Sequence, residues 1–275
     1  MDYEGAAAGG KIHDLERELL LIECQEAHVE GNERVAIAAK AVEALKQASD
    51  SPFEVYAAAA LACYNAGIDT RDQQHFAHAV TIGRQIIERF ESPVQRAEGH
   101  HFAGIALPRA ESAAQRKHWE TALQLLESAE ESEYVVRLKA KIANSLAEQL
   151  SSGSDLERSM AKRLFETSIE LKERPEIRDE AGLAISHGGL GRLALFATKP
   201  DHVTARKHFA ENLRLSEKLG SATGQTKMHS LLAAVDVAEK QLVNAKQHYR
   251  AAFRLAPEEV DKIFSLSGLV VVHSL

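Results

Sequence analysis

A chain of 275 residues suffices for one large domain or two small ones, and 45% hydrophobic with 27% charged residues excludes wholesale disorder. Its 44 alanines stand against only 15 aromatics and 6 prolines, a composition that favours helix over sheet. A net charge of −7 argues against a nucleic-acid protein driven by phosphate neutralisation.

In chain order, residues 1–10 are rich in glycine and alanine, carry Asp2 and Glu4, and lack the basic and apolar regions of a signal peptide; a flexible N-terminus is expected there. A helical stripe of Ile12, Leu15, Leu19 and Ile22 opens a repeat domain expected over residues 11–257. Turn signals follow at Gly31-Asn32, Ser49 to Pro52, Gly67 to Asp72, Ser92-Pro93 and Pro108. They continue at Glu130 to Ser132, Ser151 to Asp155, Arg174-Pro175, Lys199 to Asp201, Gly220-Ser221 and Pro257. Between them run segments with apolar residues at three- and four-residue steps, such as Leu156, Met160, Leu164 and Ile169. Helix starts are read at Ser51-Pro52 before Glu54, at Ser154 or Asp155, and at Asp201 before His202. No alternating strand pattern is found. The chain reads as all-α, about twelve helices in antiparallel pairs.

Residues 258–275 read as a capping helix with an apolar tail that contains the run Gly268 to Val272. That run is far short of the ~20 residues that span a bilayer, so no membrane partner is expected. The tail is expected to pack on the last hairpin, to self-associate with another subunit, or to continue into a further domain. Cys24 and Cys63 lie in apolar helical stretches and read as core fillers. Two cysteines exclude a disulfide framework, which fits a reducing, cytoplasmic setting.

The helix pairs repeat. Ala161-x3-Phe165, Ala205-x3-Phe209 and Ala245-x3-Tyr249 each set a small residue four before an aromatic, at intervals of 44 and 40 residues. Upstream of each, Leu146-Ala147, Leu190-Gly191 and Leu232-Ala233 place a large-then-small pair in the preceding helix. Small residues let two helices approach closely while the aromatic fills the gap to the next hairpin. One hairpin cannot bury its own face, so successive hairpins must stack.

On these residues the chain resembles the tetratricopeptide repeat family. Ala245-x3-Tyr249-x2-Ala252-x4-Pro257 matches the second-helix signature of that family, and Leu190-Gly191-x2-Ala194 looks like its first-helix signature with alanine in place of tyrosine. The match covers residues 134–257, with only Trp119-x2-Ala122 and Leu61-Ala62 hinting at it upstream, and the period of about 40–46 residues exceeds the family's usual one. The resemblance implies a right-handed α-solenoid of about six helix pairs whose first helices line a concave, partner-binding face. It places Lys141, Asn144 and Glu148 in that groove from one repeat, Arg192 from the next, and Lys227 with Ser230 from the last. A register set by Phe102-Ala103 adds His100. Asparagine suits a peptide backbone and the cations suit carboxylates.

Motifs for chemistry are weaker. Gly189-Leu-Gly191-x2-Ala194 fits a dinucleotide fingerprint, but no strand precedes it and no acid follows at the required distance. Its glycines are better read as close-packing positions. His75, His78, Glu98 and His101 invite a metal reading, yet a di-metal carboxylate bundle needs a second Glu-x-x-His and further glutamates. No nucleophile elbow, P-loop or Cys-x-x-Cys occurs. The expectation is a non-enzymatic protein- or peptide-binding scaffold without cofactor or metal, whose partner carries an acidic segment. The alternatives are a sensor whose groove closes on a signalling peptide or small effector, and a metal-dependent enzyme built on the His75, His78, Glu98 and His101 region.

Overall fold

A computed structural model describes residues 32–47 and 51–274. The stripe at Ile12 to Ile22, the segment 1–10 and Cys24 lie outside the described residues. Within them the chain is all-helical, with no strand and twelve α-helices that pack mainly on their neighbours in sequence. The chain divides into two compact units at Glu131/Ser132.

In the first unit α1 (Asn32–Gln47), α2 (Phe53–Thr70), α3 (Gln73–Arg89), α4 (Pro93–Ala106) and α5 (Ser112–Glu127) follow one another, with a short 3-10 turn at Arg109–Glu111. Helix α2 is buried on most sides because Ala57 to Ala60, Ala62 and Ala66 let its neighbours close on it. Tyr56 is its bulky anchor, 1% exposed and edge-to-face with Phe90 at 5.6 Å. Cys63 is a buried free thiol whose pKa is pushed up to about 12 by desolvation, the state of a core filler.

Two local expectations are corrected here. Gly67 does not turn the chain: α2 runs on to Thr70, and Arg71 in the left-handed conformation (φ 59°) ends it. Gly67 instead faces Phe76, whose ring an added Cβ would meet at 2.9 Å. Nor does a side chain cap α2; Pro52 holds the cap position without a side-chain bond.

The second unit comprises α6 (Glu133–Leu150), α7 (Asp155–Lys172), α8 (Glu180–Leu195), α9 (His202–Lys218), α10 (Ala222–Ala238), α11 (Leu242–Leu255) and α12 (Glu259–Ser274). Its helix starts follow their sequence signals. Ser154 and Glu157 form a reciprocal capping box on α7, and Asp201 accepts from the Thr204 amide at 2.9 Å on α9. The pairs α6/α7, α8/α9 and α10/α11 are the three hairpins, and α12 packs on α11. Each hairpin has a fully or almost fully buried aromatic in its second helix: Phe165 and Phe209 at 0% and Tyr249 at 8% exposed.

Glycines of α8 and α12 admit these rings. A Cβ on Gly189 would lie 2.3 Å from Phe165, one on Gly191 2.4 Å from Phe209, and one on Gly268 2.4 Å from Tyr249. Gly189 and Gly191 are therefore mid-helix packing positions, with helix rather than strand before them. Helix α12 includes the apolar run Gly268 to Val272. One side packs on Tyr249, and the other leaves Ile263, Phe264, Val270 and Val271 more than half exposed.

Candidate functional site: a cationic groove in the second unit

Three buried polar contacts set the first helices of the second unit against their partners. The hydroxyl of Ser168 on α7 donates to the Ala140 carbonyl at 2.9 Å. One repeat later the Asn212 amide on α9 donates to the Ala184 carbonyl. Both donors stand three residues after the repeat aromatic. The third contact is Lys172, 2% exposed, whose ammonium donates to the Gly182 carbonyl and the Ser186 hydroxyl, each at 3.0 Å. Desolvation pulls its pKa down to about 8, opposed by the charge of Asp179.

The expected groove residues divide into three groups. Asn144 is turned inward, its Oδ1 accepting from the Ser186 hydroxyl at 2.9 Å, so it joins α6 to α8 rather than waiting for a ligand. Glu148 on α6 and Arg192 on α8 form an ion pair at 2.5 Å, and both side chains are 39% exposed. That pair spans 44 residues of sequence, one repeat. Lys141 is exposed on α6, Lys227 is exposed and Ser230 half-buried on α10. His100 belongs to α4 of the first unit and is engaged with His118.

Arg192 and Lys227 come together as lining of one groove of about 520 Å³, between α8, the end of α9 and α10. Its floor and walls include Ala184, Ile185, Leu219 and Met228, and none of its lining residues is a carboxylate. Ile185 and Leu219 are 54% and 46% exposed, so an apolar ligand would find surface to cover. A larger groove of about 640 Å³ runs between α7, α8 and the start of α9 and contains none of the expected residues. Its carboxylates are already used. Asp155 takes Arg158 at 2.9 Å and Thr198 at 3.3 Å, and Asp201 caps α9.

The metal candidates are placed on two helices, His75 and His78 on α3 and Glu98 and His101 on α4. Among the described residues no three or more His, Cys, Asp or Glu side chains are grouped to hold an ion. Nor is any described helix long and apolar enough to cross a membrane.

Two features escaped sequence reasoning. Asp236 on α10 is fully buried, 2.7 Å from Arg206 of α9 and 3.8 Å from His248 of α11, with Arg206 also gripping Glu239 at 2.5 Å. The other is a set of three histidine pairs: His100 with His118, His187 with His208, and His229 with His248, each joined Nδ1 to Nδ1 at 2.9 Å. The recurring dipeptides His118-Trp119, His208-Phe209 and His248-Tyr249 are the sequence signal that marks them. Compared with protein-family models and with curated proteins, the chain matches none.

Proposed function

We propose that the second unit is a non-enzymatic binding scaffold that takes an extended acidic segment of a protein partner along the groove between α8 and α10. The observation that carries this reading is the pairing of Arg192 and Lys227 over an apolar floor with no carboxylate in the lining. One carboxylate of the partner meets Lys227, a second competes with Glu148 for Arg192, and an apolar side chain between them covers Ile185 and Leu219. The hairpins are read as winding in the right-handed sense of tetratricopeptide arrays, which the signature residues at Ala245 to Pro257 support.

The test is fluorescence anisotropy with labelled peptides that carry two carboxylates flanking a leucine, against the same peptides with lysine for glutamate. Binding of the acidic set at roughly micromolar strength is expected, weakening with salt because the cations are partly exposed. Arg192→Gln with Lys227→Gln should cost tenfold or more with an unchanged helical spectrum. Equal binding of the lysine peptides, or an unaffected double variant, removes the proposal. Compaction on binding, read by solution scattering, would identify the groove as a sensor rather than a static adaptor.

A further inference from the structure

The three histidine pairs occupy one repeat-equivalent position. In each hairpin the first histidine stands four residues before the small residue that faces the aromatic, namely Gly104, Gly191 and Ala233. The second stands immediately before that aromatic, Trp119, Phe209 or Tyr249. Ring centroids are 5.0, 5.2 and 5.2 Å apart while the nitrogens are 2.9 Å apart. Rings so placed meet nitrogen to nitrogen. That is the geometry of an N–H···N hydrogen bond, not of two lone pairs converging on a third atom.

Such a bond needs one proton between the two Nδ1 atoms. A neutral pair supplies it from one tautomer, and a singly protonated pair supplies it as a charge-assisted bond. A second proton leaves two donors face to face and two like charges at contact distance, in a half-buried site. We propose that the three pairs are proton-operated latches, each holding the two helices of its hairpin together until a second proton enters the pair and releases it.

The groups facing each pair grade the response. The α4/α5 pair faces cations, Arg96 on α4, Lys117 on α5 and Arg84 on α3, which oppose its protonation. Around His187 and His208, Glu211 and Glu173 favour charge while Lys207, Arg214 and Lys162 oppose it. The α10/α11 pair faces Glu217 and Asp236, with Arg206 opposing, and His248 Nε2 is 3.8 Å from the Asp236 carboxylate. The α10/α11 pair, with a carboxylate 3.8 Å from one of its rings, is therefore the first to release on acidification. Burial is the largest cause holding all six imidazoles below their usual range, His100 and His208 to about 4.

The chain contains its own control. Helices α6 and α7 have Ala143 and Leu164 at the two equivalent positions, so the architecture accepts an apolar pair there. Grafting it as His187→Ala with His208→Leu should keep α8/α9 closed and remove its proton response. The readout is amide hydrogen exchange of α8 and α9 in the full chain from pH 7.5 to 5, corrected for intrinsic rates. For a histidine held at about 4, acidification from neutral pH to 5 multiplies the opening constant on the order of 20-fold. Wild type should show at least that loss of protection and the graft should not; an equal loss in both overturns the proposal. Nitrogen-detected imidazole spectra of the wild type need no variant. Each pair should show one Nδ1–H tautomer and one Nε2–H tautomer at neutral pH. Six Nε2–H tautomers, or pairs that take both protons with α8 and α9 still protected, overturn it equally.

Discussion

Replacing Gly191 by alanine measures how tightly the α8/α9 hairpin is closed. In an exposed helix interior this exchange gains about 1 kcal/mol, because alanine loses less backbone entropy. At Gly191 the added Cβ lies 2.4 and 2.5 Å from two ring carbons of Phe209. That ring is 0% exposed and enclosed by Leu195, Ala205, Met228, Leu232 and Val235, so it has no free side to retreat to. Forcing a methyl into such a site costs ~1–3 kcal/mol. The propensity gain offsets only part of it, leaving a net loss of about 1 kcal/mol. Urea unfolding followed by helical circular dichroism would show it as a lower midpoint with an unchanged slope. Shortening the ring should make room, so Gly191→Ala should cost less, or even stabilise, in a Phe209→Leu background. A raised midpoint for the single variant, or equal costs in both backgrounds, would refute the packing argument.

Three other outcomes follow from the same structure. Ser154→Ala removes the hydroxyl half of the α7 capping box, leaving the bond from its own amide to Glu157, and should cost about 1 kcal/mol by urea unfolding, most of it recovered by Ser154→Asp. Lys172 is depressed from 10.5 to about 8 in the folded chain, so between those values the unfolded state holds the extra proton and stability rises with pH. Lys172→Met should flatten that rise, which unfolding midpoints between pH 8 and 10.5 would show. The exposed face of α12 should drive self-association, and Ile263→Asp with Val270→Asp should shift the light-scattering mass to that of one chain, an unchanged mass counting against it.

Much of this fold is legible in the chain. Ser154 and Asp201 announce their helices because a cap is a local bond between near neighbours, and both cap in the structure; Ser221, read only as part of a turn, caps its helix in the same way. The small-then-aromatic spacing locates the hairpins because close approach and ring insertion act at fixed helical offsets. Gly67 misled because a glycine is equally at home in a turn and beneath a ring, and only the distant Phe76 decides between them. The site was partly legible. Placing Arg192 and Lys227 on first helices follows from the repeat register, and they do line one groove. That Asn144 faces inward depends on Ser186, 42 residues away, and no local pattern reports it. The histidine pairs were half visible: the recurring dipeptides mark one member of each, but the contact lies between two helices whose relative rotation is fixed by the aromatics beside them.

The two glycines of α8 have a mechanical consequence. Phe165 presses on Gly189 from the preceding hairpin, and Phe209 presses on Gly191 from its own. Rotation of α8 about its axis would drive the side chains flanking Gly189 and Gly191 into a ring, and sliding along the axis would bring Ile185 or Leu193 towards Phe165 and His187 or Leu195 towards Phe209. Helix α8 is therefore a detent, locked by two wedges on nearly opposite sides, two residues and about 200° apart. Helix α10 has only Ala233 at the corresponding place, with Leu231 where α8 has Gly189. Helix α10 is held to α9 instead by the ion pairs of Arg206 with Asp236 and Glu239, so the seam beside the groove that carries Lys227 rests on charge where α8 rests on shape.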